Sequence, residues 1–120
     1  YIEAEDFRDQ VLITYPVSRD KLDVFTELLT PAKIEPRAQR TAELTAVILM
    51  LVASGRGVAV LPDWVLREVK GNSDYLTRPL GPGEITKRLY AATRTEDVAK
   101  PFVAHFLRLC RSEPVKMQRA

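Results

Sequence analysis

Leu44 to Ser54 is almost wholly apolar, with Val47, Ile48, Leu49, Met50, Leu51 and Val52 in unbroken succession. A helix of that composition is greasy all round and must be covered on more than one face. Gly55-Arg56-Gly57 follows at once, then Val58-Ala59-Val60-Leu61 and Pro62. Gly55 can take the left-handed conformation that closes a helix. A side chain at Gly55 or Gly57 would clash or force an unfavourable φ. The chain is therefore expected to end a helix over 44–54, reverse, and enter a buried strand that Pro62 stops. Many α/β proteins contain helix–Gly–strand–Pro, so the stretch alone fixes a layer type and leaves the function open.

The flanking sequence continues the alternation. Val11 to Tyr15 is a β-prone apolar run stopped by Pro16 and reads as a buried strand. Ser18 is placed to cap a following helix with its hydroxyl; Leu22, Phe25, Leu28 and Leu29 recur at helical spacing, with Pro31 just past the end. Arg37 to Thr41 reads as a short strand. Asp63 to Lys70 reads as a short helix with Trp64, Val65 and Val69 toward a core and Gly71-Asn72 as its stop; Trp64 is read as a packing anchor. Tyr75 to Leu80 is a strand or extended segment, Gly81-Pro82-Gly83 a turn, and Lys87 to Thr93 a further strand. Pro101 suits the first turn of a last helix, whose apolar face holds Phe102, Val103, Phe106, Leu107 and Cys110. The residues after Glu113 read as a frayed polar tail. Strands alternating with helices, joined by long crossovers, predict an α/β layer fold with a mainly parallel sheet.

Composition narrows the function classes. One domain is expected from 120 residues. The net charge is +2 with both signs mixed along the chain, and no Lys/Arg cluster marks a nucleic-acid surface. The apolar run Ala46 to Ala53 is far shorter than the roughly 20 residues that span a bilayer. A single cysteine, Cys110, excludes an intrachain disulfide and favours a cytoplasmic setting. The acidic start Tyr1-Ile2-Glu3-Ala4-Glu5-Asp6 has no signal-peptide character, and without an initiator Met the chain is expected to begin inside a longer protein. Glu3, Glu5 and Asp6 read as a solvated helix start.

Catalytic chemistry is poorly supplied. The one histidine, His105, lies off the apolar face of the last helix and reads as a surface residue. Cys110 reads as an inert core thiol. One His and one Cys do not make a zinc site of the usual kind, and no phosphate loop, nucleophile elbow or paired-His motif is present. No catalytic residue, metal or cofactor is assigned.

The best candidate site is Thr14-Tyr15-Pro16-Val17-Ser18, which leaves a strand and enters a helix. Unpaired N–H groups and the dipole at a helix start favour an anion; Thr14 and Ser18 add hydroxyls, and Tyr15 can wall a pocket. The alternative is a capped helix without ligand. Thr41, with Arg40, is a second candidate ahead of the apolar helix, or an ordinary cap. Leu61-Pro62 ends a strand at the carboxyl edge of the sheet, where ligands bind in open α/β folds.

The stretch Leu51-Val52-Ala53-Ser54-Gly55-Arg56-Gly57-Val58-Ala59-Val60-Leu61-Pro62 resembles the "LVAAGxGIAxLP" pattern of LysR-type effector domains. Leu12 to Val24, Leu61 to Leu66 and Arg88-Leu89-Tyr90-Ala91-Ala92 resemble the branch that regulates methionine biosynthesis. The resemblance runs over nearly the whole chain. It implies the second lobe of a type II periplasmic-binding-protein-like effector domain, with a mainly parallel sheet flanked by helices. Residues 1–88 would form that lobe, 89–113 a final strand and helix returning to the first lobe, and 114–120 a tail. The rest of the first lobe and the DNA-binding domain would lie outside this chain.

The resemblance further implies an effector, homocysteine in this branch, bound in an interlobe cleft near Thr14 to Ser18, with Leu61 and Pro62 on the cleft floor. It implies a homodimer or homotetramer that pairs effector domains through the apolar helix, with Val47, Ile48 and Leu51 at the interface. DNA would be bound only through a winged helix-turn-helix that this chain does not hold. Two other readings remain open on the residues: a solute-binding lobe of a transport-related protein, and a protein-interaction module docking through the apolar helix.

Overall fold

A computed structural model describes residues 1–67, 74–83, 85–88 and 90–119. They divide into two compact units, Tyr1–Ile85 and Thr86–Ala120.

The first unit is built on a parallel sheet. Strand β1 (Val11–Thr14) lies between β2 (Ala38–Thr41) and β3 (Val58–Ala59), in the order β2-β1-β3. Val11 pairs with Ala38 and Thr14 with Thr41 on one side, and Leu12 with Val58 on the other. Successive side chains of a strand point to opposite faces, so β1 serves two layers. Leu12 joins Phe7, Val24, Phe25, Leu29 and Ile34 in a buried cluster. Ile13 and Ile48, also buried, lie outside that cluster.

Strand β3 is shorter than the expected Val58–Leu61. The carbonyl of Thr14 accepts from Ala42 on the β2 side at 2.9 Å, and that of Tyr15 accepts from Val17 at 2.8 Å. The Tyr15 carbonyl therefore closes a tight turn instead of continuing the ladder with β3.

The segment after β1 differs from the single capped helix expected. Ser18 precedes a one-turn 3-10 helix, Arg19–Lys21, and its side chain makes no capping bond. A π-helical stretch, Val24–Leu29, then leads into α1 (Thr30–Ala32). Pro31 sits within this last turn, not beyond it. An internal proline presses on the carbonyl four residues back, and the wider π turns just ahead carry the backbone past Glu27. Lys33 closes the run in the left-handed region at φ 58°. The Ile34 N–H reaches the Leu29 carbonyl and the Lys33 N–H that of Thr30, at 3.0 and 3.1 Å. This is a Schellman closure, with Ile34 and Leu29 both in the buried cluster.

Helix α2 (Thr45–Ala53) ends at Gly55, which has φ 66°, as its sequence predicts. Ile48 is fully buried; Val47 and Leu51 are half-buried, while Met50 and the preceding Leu44 are exposed. Ile48 thus faces the chain's own core and leaves the set of residues proposed to meet a partner.

Helix α3 (Asp63–Arg67) buries Val65, whereas Trp64 is 53% exposed. In so short a helix Val65 takes the inward position, and its neighbour Trp64, turned about 100° around the axis, points out. Trp64 is therefore not a core anchor. The expected roles of Val69 and of Gly71-Asn72 fall outside the described residues.

Tyr75 to Leu80 forms no strand. It is anchored by Ile2, which donates to Pro79 and accepts from Gly81 at 2.8 Å each. The acidic start forms a 3-10 turn, Ala4–Phe7. The Asp6 carboxylate accepts from the Glu3 N–H. Arg8 donates to Glu5 at 2.6 Å and holds its carboxyl below the ordinary range, chiefly through that hydrogen bond.

In the second unit the described residues between 87 and 93 form no strand, against expectation. A strand needs a neighbour to satisfy its backbone groups, and no ladder is present among the described residues of this unit. A 3-10 turn, Thr95–Asp97, precedes α4 (Pro101–Arg119), which starts at Pro101 as expected and runs on through the residues read as a frayed tail. Phe102 and Phe106 are 71% and 58% exposed, and Val103, Leu107 and Cys110 are half-buried. The apolar face exists but is open.

Candidate functional site

Parallel strands end on the same edge, so the segments that follow β1, β2 and β3 gather at one side of the first unit. In the order β2-β1-β3 the chain leaves β1 toward β2 and later returns to the opposite side as β3. That reversal makes a switch point between β1 and β3, where open α/β sheets leave a crevice.

Thr14 sits at this edge at the end of the central strand, only 6% exposed. Its hydroxyl oxygen accepts from the Gln39 side-chain amide at 3.0 Å. The Tyr15 hydroxyl lies 2.6 Å from Oγ1 of Thr45, the first residue of α2. This contact brings the start of α2 beside the end of β1. The N–H groups of Thr45 and Ala46 open that helix and have no partner within it. Leu44 precedes them with no capping side-chain bond.

Among the sequence-predicted residues, Thr14 and Tyr15 are thus built into the edge. Pro16, Val17 and Ser18 are exposed in the turn that follows. Thr41 pairs with Thr14 across the sheet and is exposed, as is Arg40. Leu61 is half-buried and Pro62 exposed, just beyond β3. The expected long helix start at Ser18 is replaced by a single 3-10 turn, so α2 supplies the helix N-terminus at this edge.

Gln39, Thr45 and Arg19 were not singled out from the sequence. Arg19 donates to Gln39 at 3.0 Å and to Glu35 at 2.8 Å. A Thr opening an apolar helix is a legible signal for Thr45. Gln39 becomes visible only once the register places it beside Thr14.

No group of three or more His, Cys, Asp or Glu among the described residues is arranged to hold a metal. An open groove of about 490 Å³ on the second unit is lined by Val98, Ala104, Leu107, Arg108, Arg111 and Ser112. None of the sequence-predicted site residues lines it. At the carboxyl edge, by contrast, the buried Thr14 hydroxyl lies near the half-buried, hydrogen-bonded pair Tyr15 and Thr45.

The LysR substrate binding domain family model matches residues 1–114, and the chain belongs to that family. The fold is accordingly the α/β, type II periplasmic-binding-protein-like one, of a family of regulators rather than enzymes. Among individual proteins, the chain is similar to the HTH-type transcriptional regulator MetR. It is 34% identical to that of Escherichia coli K12 over 92% of this chain. It is 36% identical to that of Haemophilus influenzae, again over 92%. It spans about a third of the length of these relatives, 34% and 36%. Among solved structures, the regulatory domain of MetR, a LysR family regulator from N. meningitidis, is 39% identical with a TM-score of 0.77. That match covers 89% of this chain and 49% of the other. No helix among the described residues is long and apolar enough to cross a membrane.

Proposed function

We propose that this chain is the second lobe of the effector-sensing domain of a cytoplasmic LysR-type transcriptional regulator. It binds a small amino-acid-like anion at the carboxyl edge formed by Thr14–Ser18, Thr41 and Leu61–Pro62. By likeness to MetR the effector is homocysteine and the controlled genes serve methionine biosynthesis. DNA is contacted through a winged helix-turn-helix elsewhere in the full protein, which assembles as a dimer or tetramer.

The observation that carries this reading is the buried Thr14 hydroxyl at the end of the central strand, beside the switch point. Hydroxyls and helix N–H groups are hydrogen-bond donors that suit a carboxylate, and the first turn of α2 adds its unpaired N–H groups through the Tyr15–Thr45 contact. Residues 1–88 act as the lobe, and residues 89–113 belong with the first lobe.

Calorimetric titration of the full effector domain with L-homocysteine tests the reading. Thr14→Ala and Ser18→Ala are each expected to weaken binding by about 1–3 kcal/mol where a buried partner loses its hydrogen bond. Equal affinity in both variants and the parent would remove this turn from the site.

A further inference from the structure

A continuous line of hydrogen bonds runs from Thr14 to the surface. Gln39 Nε2 donates to Thr14 Oγ1 at 3.0 Å, Arg19 Nε donates to Gln39 Oε1 at 3.0 Å, and Arg19 Nη1 donates to Glu35 Oε2 at 2.8 Å. The Arg19 guanidinium also lies 4.4 Å from the ring centre of Phe25, which is almost wholly buried. The ring below and the carboxylate beside it hold the guanidinium in place.

Chemistry dictates the direction of this line. A guanidinium carries donors only, so Arg19 has to meet the oxygen end of the Gln39 amide. The nitrogen end then faces Thr14, because the reversed amide would set two donors against each other at Arg19. The Thr14 oxygen is thereby made to accept. A threonine hydroxyl has a single proton to give, and here that proton has no business with Gln39. It is left for a partner other than Gln39.

We infer that Arg19 and Gln39 are positioning residues that lock the Thr14 hydroxyl as a hydrogen-bond donor toward the effector. The lock suits ligands that present an acceptor oxygen at this point, carboxylates foremost. It rests on the effector-site reading above.

The test combines side-chain amide exchange at Gln39, followed by NMR on the full effector domain, with calorimetry using L-homocysteine. Arg19→Met keeps the aliphatic stem over Phe25 and removes the donor. It is expected to speed exchange of the Gln39 amide protons and to weaken homocysteine binding about tenfold. Arg19→Lys restores a donor and is expected to rescue both readouts to within about threefold of the parent. Glu35→Gln keeps an oxygen for Arg19 to donate to, so both readouts should stay within about threefold of the parent. Gln39 exchange that is unaffected by Arg19→Met overturns the lock, as does unaffected affinity in a parent that binds homocysteine. A parent that gives no heat with homocysteine, while Arg19→Met loosens the Gln39 amide, supports the lock and removes the effector assignment instead.

Discussion

A Cβ placed on Gly57 would lie 2.3 Å from the carbonyl oxygen of Val11, so the reversal between α2 and β3 is packed backbone to backbone against the central strand. Gly55, two residues earlier, meets nothing within 4 Å and needs glycine only for its φ of 66°. Gly57, with a φ of 157°, thus adds a backbone clash to the unfavourable φ that both glycines share. Gly55→Ala should cost about 1 kcal/mol, the strain of a left-handed alanine. Gly57→Ala should cost at least the roughly 1–3 kcal/mol of overpacking, since a backbone carbonyl cannot swing aside as a side chain can. Urea denaturation of the two variants gives the order directly, and equal costs would contradict it.

Tyr15 and Thr45, 30 residues apart, tie the end of β1 to the start of α2 through one hydroxyl pair. Tyr15→Phe and Thr45→Val should each lose about 0.5–1.5 kcal/mol of stability. The double variant should lose less than the sum, because both remove the same bond. Additive losses in a double-mutant cycle would show that the contact contributes nothing of its own.

Met50 is 63% exposed on a helix whose Ile48 is fully buried. If α2 pairs with another subunit, Met50→Glu should shift sedimentation toward the monomer while leaving the unfolding midpoint close to that of the parent. Ile48→Ala should do the reverse, costing about 2–5 kcal/mol of stability through the cavity it leaves. An assembly that survives Met50→Glu places the subunit contact elsewhere.

The open face of α4, with Phe102 and Phe106 exposed, bears on where residues 89–113 belong. A contiguous exposed apolar stripe marks an interaction surface or an aggregation risk. If these residues belong with the first lobe, ending the chain after Arg88 should leave the denaturation midpoint of the first unit nearly unchanged and reduce self-association. Loss of cooperative unfolding on that truncation would make α4 part of the same core.

The α/β architecture was legible because its signals are local. Apolar runs, Gly55 after an apolar helix, and Pro101 at the start of α4 each report on their own few residues. The misreadings share the opposite cause. Pro31 reads as a helix stop, yet it lies within α1, directly after the π turns from Val24 to Leu29, and Lys33 carries a left-handed closure that sequence assigns by habit to glycine or asparagine. Trp64 looked like an anchor because size suggests burial, yet its neighbour Val65 holds the inward position. The candidate site was half visible: the end of β1 announces itself, whereas Gln39 and Thr45 join it only through strand register and a contact across 30 residues.

The strand order β2-β1-β3 also has a consequence in time. The central strand is the earliest of the three to leave the ribosome, and both partners follow it, Ala38–Thr41 first and Val58–Ala59 last. Until then Leu12 and Ile13 sit in a strand-forming run with two open edges, the kind of segment that pairs with other chains. Every rung of this sheet closes a long loop, a topology that folds more slowly than a helical bundle. The arrival of Val58 and Ala59 therefore sets the earliest moment at which the first strand is shielded from its neighbours in the cell.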